Sequence, residues 1–336
     1  RTPEGSYEEL QAFREDRSPD GGLYVPERIP RFSREEILEL GRMTENAAAA
    51  KLMALYLGDR ISSWDLDFSV GRRWVRRKEL DRKNVLLESW HNPEGEIDYL
   101  FRFLSERLGQ PLGFWGKTVV RMAAVGTMIA GMAVEKRVCW EEPAEFAVIS
   151  GDFSGILAGV YLKAMGFPVG KLVCCCNENN SVWELVHLGQ LRTDGICQQT
   201  LTPAADTLLP QGLEHLLCCL GGEKTALEYA RCAYMGLSYA PDENLLAKLQ
   251  TILFVGVVSR ERLELTLTGV LKNYGCLISP YGAMAYAGAQ DYRAKSGENR
   301  LCLMLSDRNP ALDAQALETL LGISHNAVRD YLNQGR

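Results

Sequence analysis

Residues 146–180, FAVISGDFSGILAGVYLKAMGFPVGKLVCCCNENN, constrain the fold of this chain more than any other stretch. The apolar run FAVIS leads into a glycine-bearing turn, then a helix from Gly155 to Met165, then a second apolar run, KLVCCC. Strand, crossover helix and strand in that order build a parallel sheet with helices on its faces. The turn also sets backbone N–H groups at the start of a helix, which is the arrangement that holds a phosphate or another anion. Ser150, Gly151, Asp152, Phe153, Ser154 and Gly155 are therefore the candidate anion-binding residues.

Composition narrows the function classes. The 336 residues carry a formal net charge of -6, which gives no electrostatic support to a general nucleic-acid or anionic-membrane role. The densest basic run, Arg72 to Lys78, is followed by Glu79 and Asp81 and reads as a solvated face. The ten cysteines cluster as Cys174-Cys175-Cys176 and Cys218-Cys219 inside apolar segments, form no Cys-x-x-Cys pair, and fit a reducing cytoplasm better than a disulfide framework. His91, His187, His215 and His325 are far apart in sequence, and no metal site is expected. The opening RTPEGSYEEL has no apolar signal region. The apolar stretch Thr118 to Val134 is interrupted by Arg121 and is expected to fall short of a bilayer span. The expectation is a soluble, cytoplasmic protein.

Along the chain, three blocks are predicted: a helical subdomain over 1–84, a connecting region over 85–145, and an α/β lobe over 146–336. Ser33-Arg34-Glu35-Glu36 is a capping box that opens a helix ending near Arg42, and Thr44 to Leu57 repeats apolar residues at helical spacing. Val85 to Glu88 reads as a short strand, and Ile97 to Leu108 as an amphipathic helix. Later helices are expected over 208–220, 225–235, 243–254, 259–274 and 282–292, with a strand over Leu301 to Leu305. Leu317 to Leu332 has the look of a DNA-reading helix-turn-helix, but Glu318 and Asp330 offset its charge, so no nucleic-acid partner is expected.

Several separated stretches together resemble threonine synthase. They are SPDGGLYVPERIPRFSREEI near the start, ALYLGD at 54–59, LLESWHNP at 86–93, the glycine-loop segment from Ser150 to Asn180, TLTPAADTLLPQGLEHLLCCL, VGVVSRERLELTLTGVLKNYGCLISPYGAMAYA and LMLSDRNPA. The resemblance implies an α/β fold with a mostly parallel sheet flanked by helices, the larger lobe of a type II pyridoxal-phosphate enzyme with a helical N-terminal subdomain. It also implies a lyase acting on O-phosphohomoserine with pyridoxal phosphate (PLP) as cofactor.

The residues depart from that chemistry at definite places. A lysine amine must form a Schiff base with the cofactor. The family carries it in a Phe-Lys-Asp run after a His-Gly-Pro turn, whereas here His91-Asn92-Pro93 is followed by Ile97-Asp98-Tyr99, which puts Asp98 at the lysine position. Asp152 sets a carboxylate in the phosphate loop, where it is expected to cap the helix instead. Ser306 keeps the hydroxyl expected near the pyridine nitrogen, and Asp307 replaces a threonine. Lys117, Lys163 and Lys171 read as surface lysines. Tyr99 to Ile149 reads as two helices, far short of the roughly 100 residues a second α/β lobe needs.

These features predict a degenerate relative with a truncated second lobe and no catalytic residue. No cofactor is expected, a small anionic ligand is possible at the loop, and a homodimer or another protein is expected to cover the trimmed lobe. The alternative is a working PLP enzyme. No membrane partner is expected.

Overall fold

The computed structural model describes residues 9–334 except 20 and 71–74. The opening eight residues, and Arg72, Arg73 and Trp74 of the basic run, lie outside the described residues. The chain divides into two compact units that interleave along the sequence: residues 1–76, 89–144 and 157–170 form the first, and 77–88, 145–156 and 171–336 the second.

The first unit is helical. It contains α1 (Glu9–Arg14), α2 (Arg34–Arg42), α3 (Glu45–Leu57), α4 (Ser63–Val70), α5 (Asp98–Leu108), α6 (Phe114–Val134) and most of α7 (Ser154–Ala164). The expected capping box is present: Ser33 Oγ accepts the Glu36 N–H, and Glu36 accepts the Ser33 N–H. At the start of α3, Thr44 Oγ1 accepts the Ala47 N–H. The apolar stretch expected to be short begins four residues earlier than read, at Phe114, giving α6 21 residues, long enough by length and composition to cross a bilayer. Its surroundings give it another role. Most of α6 is buried, with α1, α2 and α3 packed on it. At the crossing with α2, a Cβ on Gly41 would sit 2.2 Å from the Ala130 carbonyl oxygen, so only glycine permits the approach. The α6 helix is thus the core of this unit.

The second unit is built on a six-stranded sheet in the order β1-β2-β6-β3-β4-β5, where β1 is Arg76–Glu79, β2 Asn84–Glu88, β3 Ala144–Ile149, β4 Val169–Cys176, β5 Leu253–Val257 and β6 Cys302–Ser306. The β2–β6, β3–β6 and β4–β5 pairs are parallel. Between β2 and β3 the described chain has two helices, as the sequence suggests, and no strand. Around the sheet lie α8 (Ser181–Leu188), α9 (Gln211–Gly221), α10 (Glu223–Met235), α11 (Glu243–Ile252), α12 (Arg260–Tyr274), α13 (Pro280–Ser296), α14 (Ala314–Leu321) and α15 (His325–Gln334). The α13 helix lies so close to β4 that a Cβ on Gly288 would meet Cys175 Sγ at 2.3 Å.

Two readings are corrected. The helix expected to run to Phe254 stops at Ile252, and Leu253-Phe254-Val255-Gly256-Val257 is an edge strand. Three consecutive residues with branched or aromatic side chains favour the pleated surface over another helical turn. The part of the basic run from Arg76 to Lys78 is strand β1 at the opposite edge, largely exposed as expected of a solvated face. The apolar helices are buried within the chain, α6 in its unit and α9 through Leu213, Leu216 and Leu217, with α10 and α11 against it.

Glu145, on β3, is 1% exposed, and neither of its carboxylate oxygens has a hydrogen-bond partner. The nearest cation, Arg293, has its Nε 4.0 Å away and spends its terminal nitrogens on Asn84 Oδ1, Lys83 O and Arg300 O. Burial pushes the Glu145 carboxyl up to about 7. Because the folded value exceeds the unfolded one, stability is lost as pH rises from about 4.5 through 7. Glu145→Gln should therefore stabilise the protein at pH 8 by up to about 3 kcal/mol and change little at pH 4. Urea denaturation at the two pH values checks this.

Candidate functional site

The candidate loop leaves the C-terminal end of β3, the end of a parallel sheet at which open α/β folds place their ligands. Three features shape it. Gly151 takes φ +43°, and a Cβ there would lie 3.2 Å from the Ala204 carbonyl oxygen, so the 203–205 turn sits directly over it. Gly155 lies close against β3, where a Cβ would meet Val148 Cγ2 at 2.8 Å. Phe153 holds φ +73° despite its side chain, a conformation costing about 1 kcal/mol, and its ring is buried.

Asp152 decides the electrostatics. Its Oδ1 accepts the Ser154 N–H at 2.9 Å and the Ser154 hydroxyl at 2.5 Å, and Ser154 is the first residue of α7. The helix-start amide that a phosphate would use is thus held by a carboxylate of the chain, as expected from sequence. The Asp152 carbonyl accepts the Gly212 N–H at 3.0 Å. Ser150 donates its N–H to Cys175 O at 2.9 Å, while its hydroxyl is buried without a partner.

The other candidate in this unit, Ser306, ends β6 with its hydroxyl 3.4 Å from that of Ser279, the N-cap of α13. Both serines are buried, and Ser279 also accepts the Gly282 N–H at 3.0 Å. In the first turn of α13, burial pushes the Tyr281 hydroxyl up, with the Ala204 backbone amide opposing the shift. The structure thus gathers Ser150–Gly155 at one strand end, with Tyr281 and the 203–205 turn tied to one another beside Gly151.

Sequence reading missed the network that holds the 198–206 segment in place. Asn177 Nδ2 donates to Thr200 Oγ1 at 2.9 Å and Asp206 Oδ1 at 2.7 Å, and Asn179 Nδ2 donates to the Gln198 carbonyl at 2.9 Å. Asp206 also accepts the Thr200 N–H. Asn177, Asn179 and Thr202 are buried, so each lost partner would leave an amide or hydroxyl unsatisfied. The signal was the Asn-x-Asn pair directly after an apolar strand.

Asp98 belongs to the first unit. It is exposed and is the first residue of α5, where a carboxylate complements the helix dipole. Lys117 is half-buried with its Nζ 5.9 Å from the centre of the Phe101 ring. Lys163 Nζ donates to Gly170 O, and Lys171 Nζ to Gln250 O and Thr251 O. No cluster of three or more His, Cys, Asp or Glu side chains suited to a metal occurs among the described residues.

Three comparisons bear on this site. Residues 4–73 match the family model described as threonine synthase N terminus. The chain is 24% identical over 187 residues to threonine synthase-like 1 of Pongo abelii, covering 54% of this chain and 25% of that protein. It is 38% identical over 82 residues to threonine synthase of Saccharomyces cerevisiae, covering 24% of this chain and 16% of that protein. The matches thus span a quarter or less of these curated relatives. The fold is similar to the crystal structure of PLP-bound threonine synthase from Brucella melitensis, with a TM-score of 0.80 at 16% identity over 94% of this chain and 89% of that one.

The loop does not fit a bound phosphate as it stands, because the Asp152 carboxylate occupies the α7 amide. Two unit charges about 4 Å apart repel by about 4 kcal/mol at an effective dielectric near 20, and a phosphate dianion carries nearly two. Asp152→Asn keeps a capping oxygen and removes the charge. It should tighten inorganic phosphate binding by about tenfold or more, read by isothermal titration. Tighter binding by the unsubstituted chain would mean that the loop takes anions with Asp152 in place.

Proposed function

From the match of residues 4–73 to the threonine synthase N terminus and the similar fold, we propose that this chain is a threonine-synthase-like protein without lyase activity, retaining the scaffold as a binding or regulatory module. Two carboxylates support this reading: Asp98, which the resemblance aligns with the family's Schiff-base lysine, and Asp152, which holds the helix amide that a cofactor phosphate would take. When bound, PLP supplies an electron sink for carbanions, but only after an amine of the protein or the substrate has joined it.

The chain's own residues do other work at this site. Asn177, Asn179 and Asp206 fix the 198–206 segment, and Ser279 caps α13 beside Ser306. The unpartnered Ser150 hydroxyl is a ready donor to a small anionic ligand if Asp152 is neutralised. Ten free cysteines, several deeply buried, fit a cytoplasmic setting. A homodimer or another protein partner is part of the same proposal, but its surface moves. The apolar side chains left exposed include Leu227, Tyr234, Met235 and Leu237, on α10 and just after it.

The second reading, an active PLP enzyme on O-phosphohomoserine, draws on the PLP-bound state named for the Brucella relative. Phosphate release from O-phosphohomoserine separates the two. With excess PLP, the purified chain should release no phosphate above a no-protein control. Release that saturates with substrate would establish the second reading.

A further inference from the structure

Beside strand β5 lies a cavity of about 460 Å³, bounded by Asn180 and Trp183 at the start of α8, Phe254 and Val257 on the strand, and Asp291 and Lys295 near the end of α13. Its volume falls in the range of small-molecule sites. This cavity is separate from the glycine loop. Tyr281, the α13 residue tied to the loop region, lies about 20 Å along the helix from Lys295.

The walls are aromatic and already held in place. His187 stacks on one side of Trp183, with centroids 4.8 Å apart and planes 17° from parallel, which leaves the opposite side of the indole for the cavity. Phe254 packs against Tyr292 at 5.3 Å and against His187 at 6.2 Å. Both Trp183 and Phe254 are half-buried, so each ring is fixed by the fold and still presents surface. A flat, rigid ring gains contact with such walls at a smaller ordering cost than a flexible aliphatic chain.

The polar groups stand at the two ends of these walls. Asp291 is already paired with Arg262 at 2.9 Å, whereas the Lys295 ammonium, 5.4 Å from the Phe254 ring centre, pairs with no carboxylate among the described residues. The balance at the Phe254 end is therefore one positive charge, which an anionic group complements. Three residues along the strand, about 10 Å away, Val257 pairs with Cys176 at the end of β4, four residues before Asn180. Asn180 occupies the N-cap position of α8 without capping it through its side chain, so its amide can serve a ligand as donor or acceptor. We propose that this cavity binds a planar aromatic carboxylate about 10 Å long, with its carboxylate toward Lys295, its ring against Phe254 and Trp183, and a hydrogen-bonding group at the far end toward Asn180. The site is independent of the cofactor loop and of whether the chain is a lyase.

The test is isothermal titration of the full chain with 4-hydroxycinnamate, a probe of that length and chemistry. Saturable binding with a Kd below about 1 mM is expected. Methyl 4-hydroxycinnamate lacks the charge and cinnamate lacks the hydroxyl, and each should bind about threefold weaker or more. Ala294 is exposed and also lines the cavity, so Ala294→Trp fills the space from the solvent side and should weaken binding at least about tenfold with the melting temperature unchanged. Lys295→Glu, likewise an exposed change, should weaken it about fivefold. No saturable binding up to about 5 mM would overturn the proposal, and so would binding unaffected by Ala294→Trp, which would place the probe elsewhere. Equal binding of the acid and its methyl ester would show that Lys295 selects no anion and would overturn it as well.

Discussion

A helix N-terminus offers a few unpaired N–H groups and a partial positive charge, and one anion satisfies both. At the start of α7 that anion is the Asp152 carboxylate, bound to the Ser154 amide and hydroxyl. The interaction is short, local and internal to one loop, so it forms whenever the loop folds. The rest of the site is arranged around it. The Asp152 carbonyl anchors Gly212 at the start of α9, and the 203–205 turn closes over Gly151. A glycine-bearing loop at a helix start is thus completed by the protein's own carboxylate.

The scaffold supporting this loop depends on close approaches that only glycine permits. Gly155 lies against β3 and Gly288 seats α13 on the sheet, while Gly41 brings α2 against α6 in the other unit. These contacts do not depend on the charges carried by the loop. Packing is set by volume and backbone approach, which tolerate a changed charge in a loop. Chemistry at an imine requires one particular amine, and no packing contact replaces it.

What could be read from the sequence follows the range of the interaction involved. The Ser33 and Ser259 caps, the strands β2, β3, β4 and β6, and the role of Asp152 were legible because each is decided within a few residues. The β5 strand was not, because LFVGV follows α11 without a turn signal and its apolar residues extend the helical pattern. Nor was β1, whose charged residues carry no alternation. Burial of α6 was hidden for another reason: a 21-residue apolar helix looks the same whether lipid, a partner or its own unit covers it. The Asn177–Asp206 network joins residues 29 positions apart in sequence, which no local pattern reports.

The central proposal is chemical: this chain has a fold similar to threonine synthase without a lysine placed to bind pyridoxal phosphate. Borohydride reduction in the presence of excess PLP, followed by mass spectrometry of the digested protein, tests it most directly. The prediction is no stable pyridoxyl adduct beyond sparse, scattered labelling of exposed lysines. A single lysine modified at near-unit occupancy would contradict it.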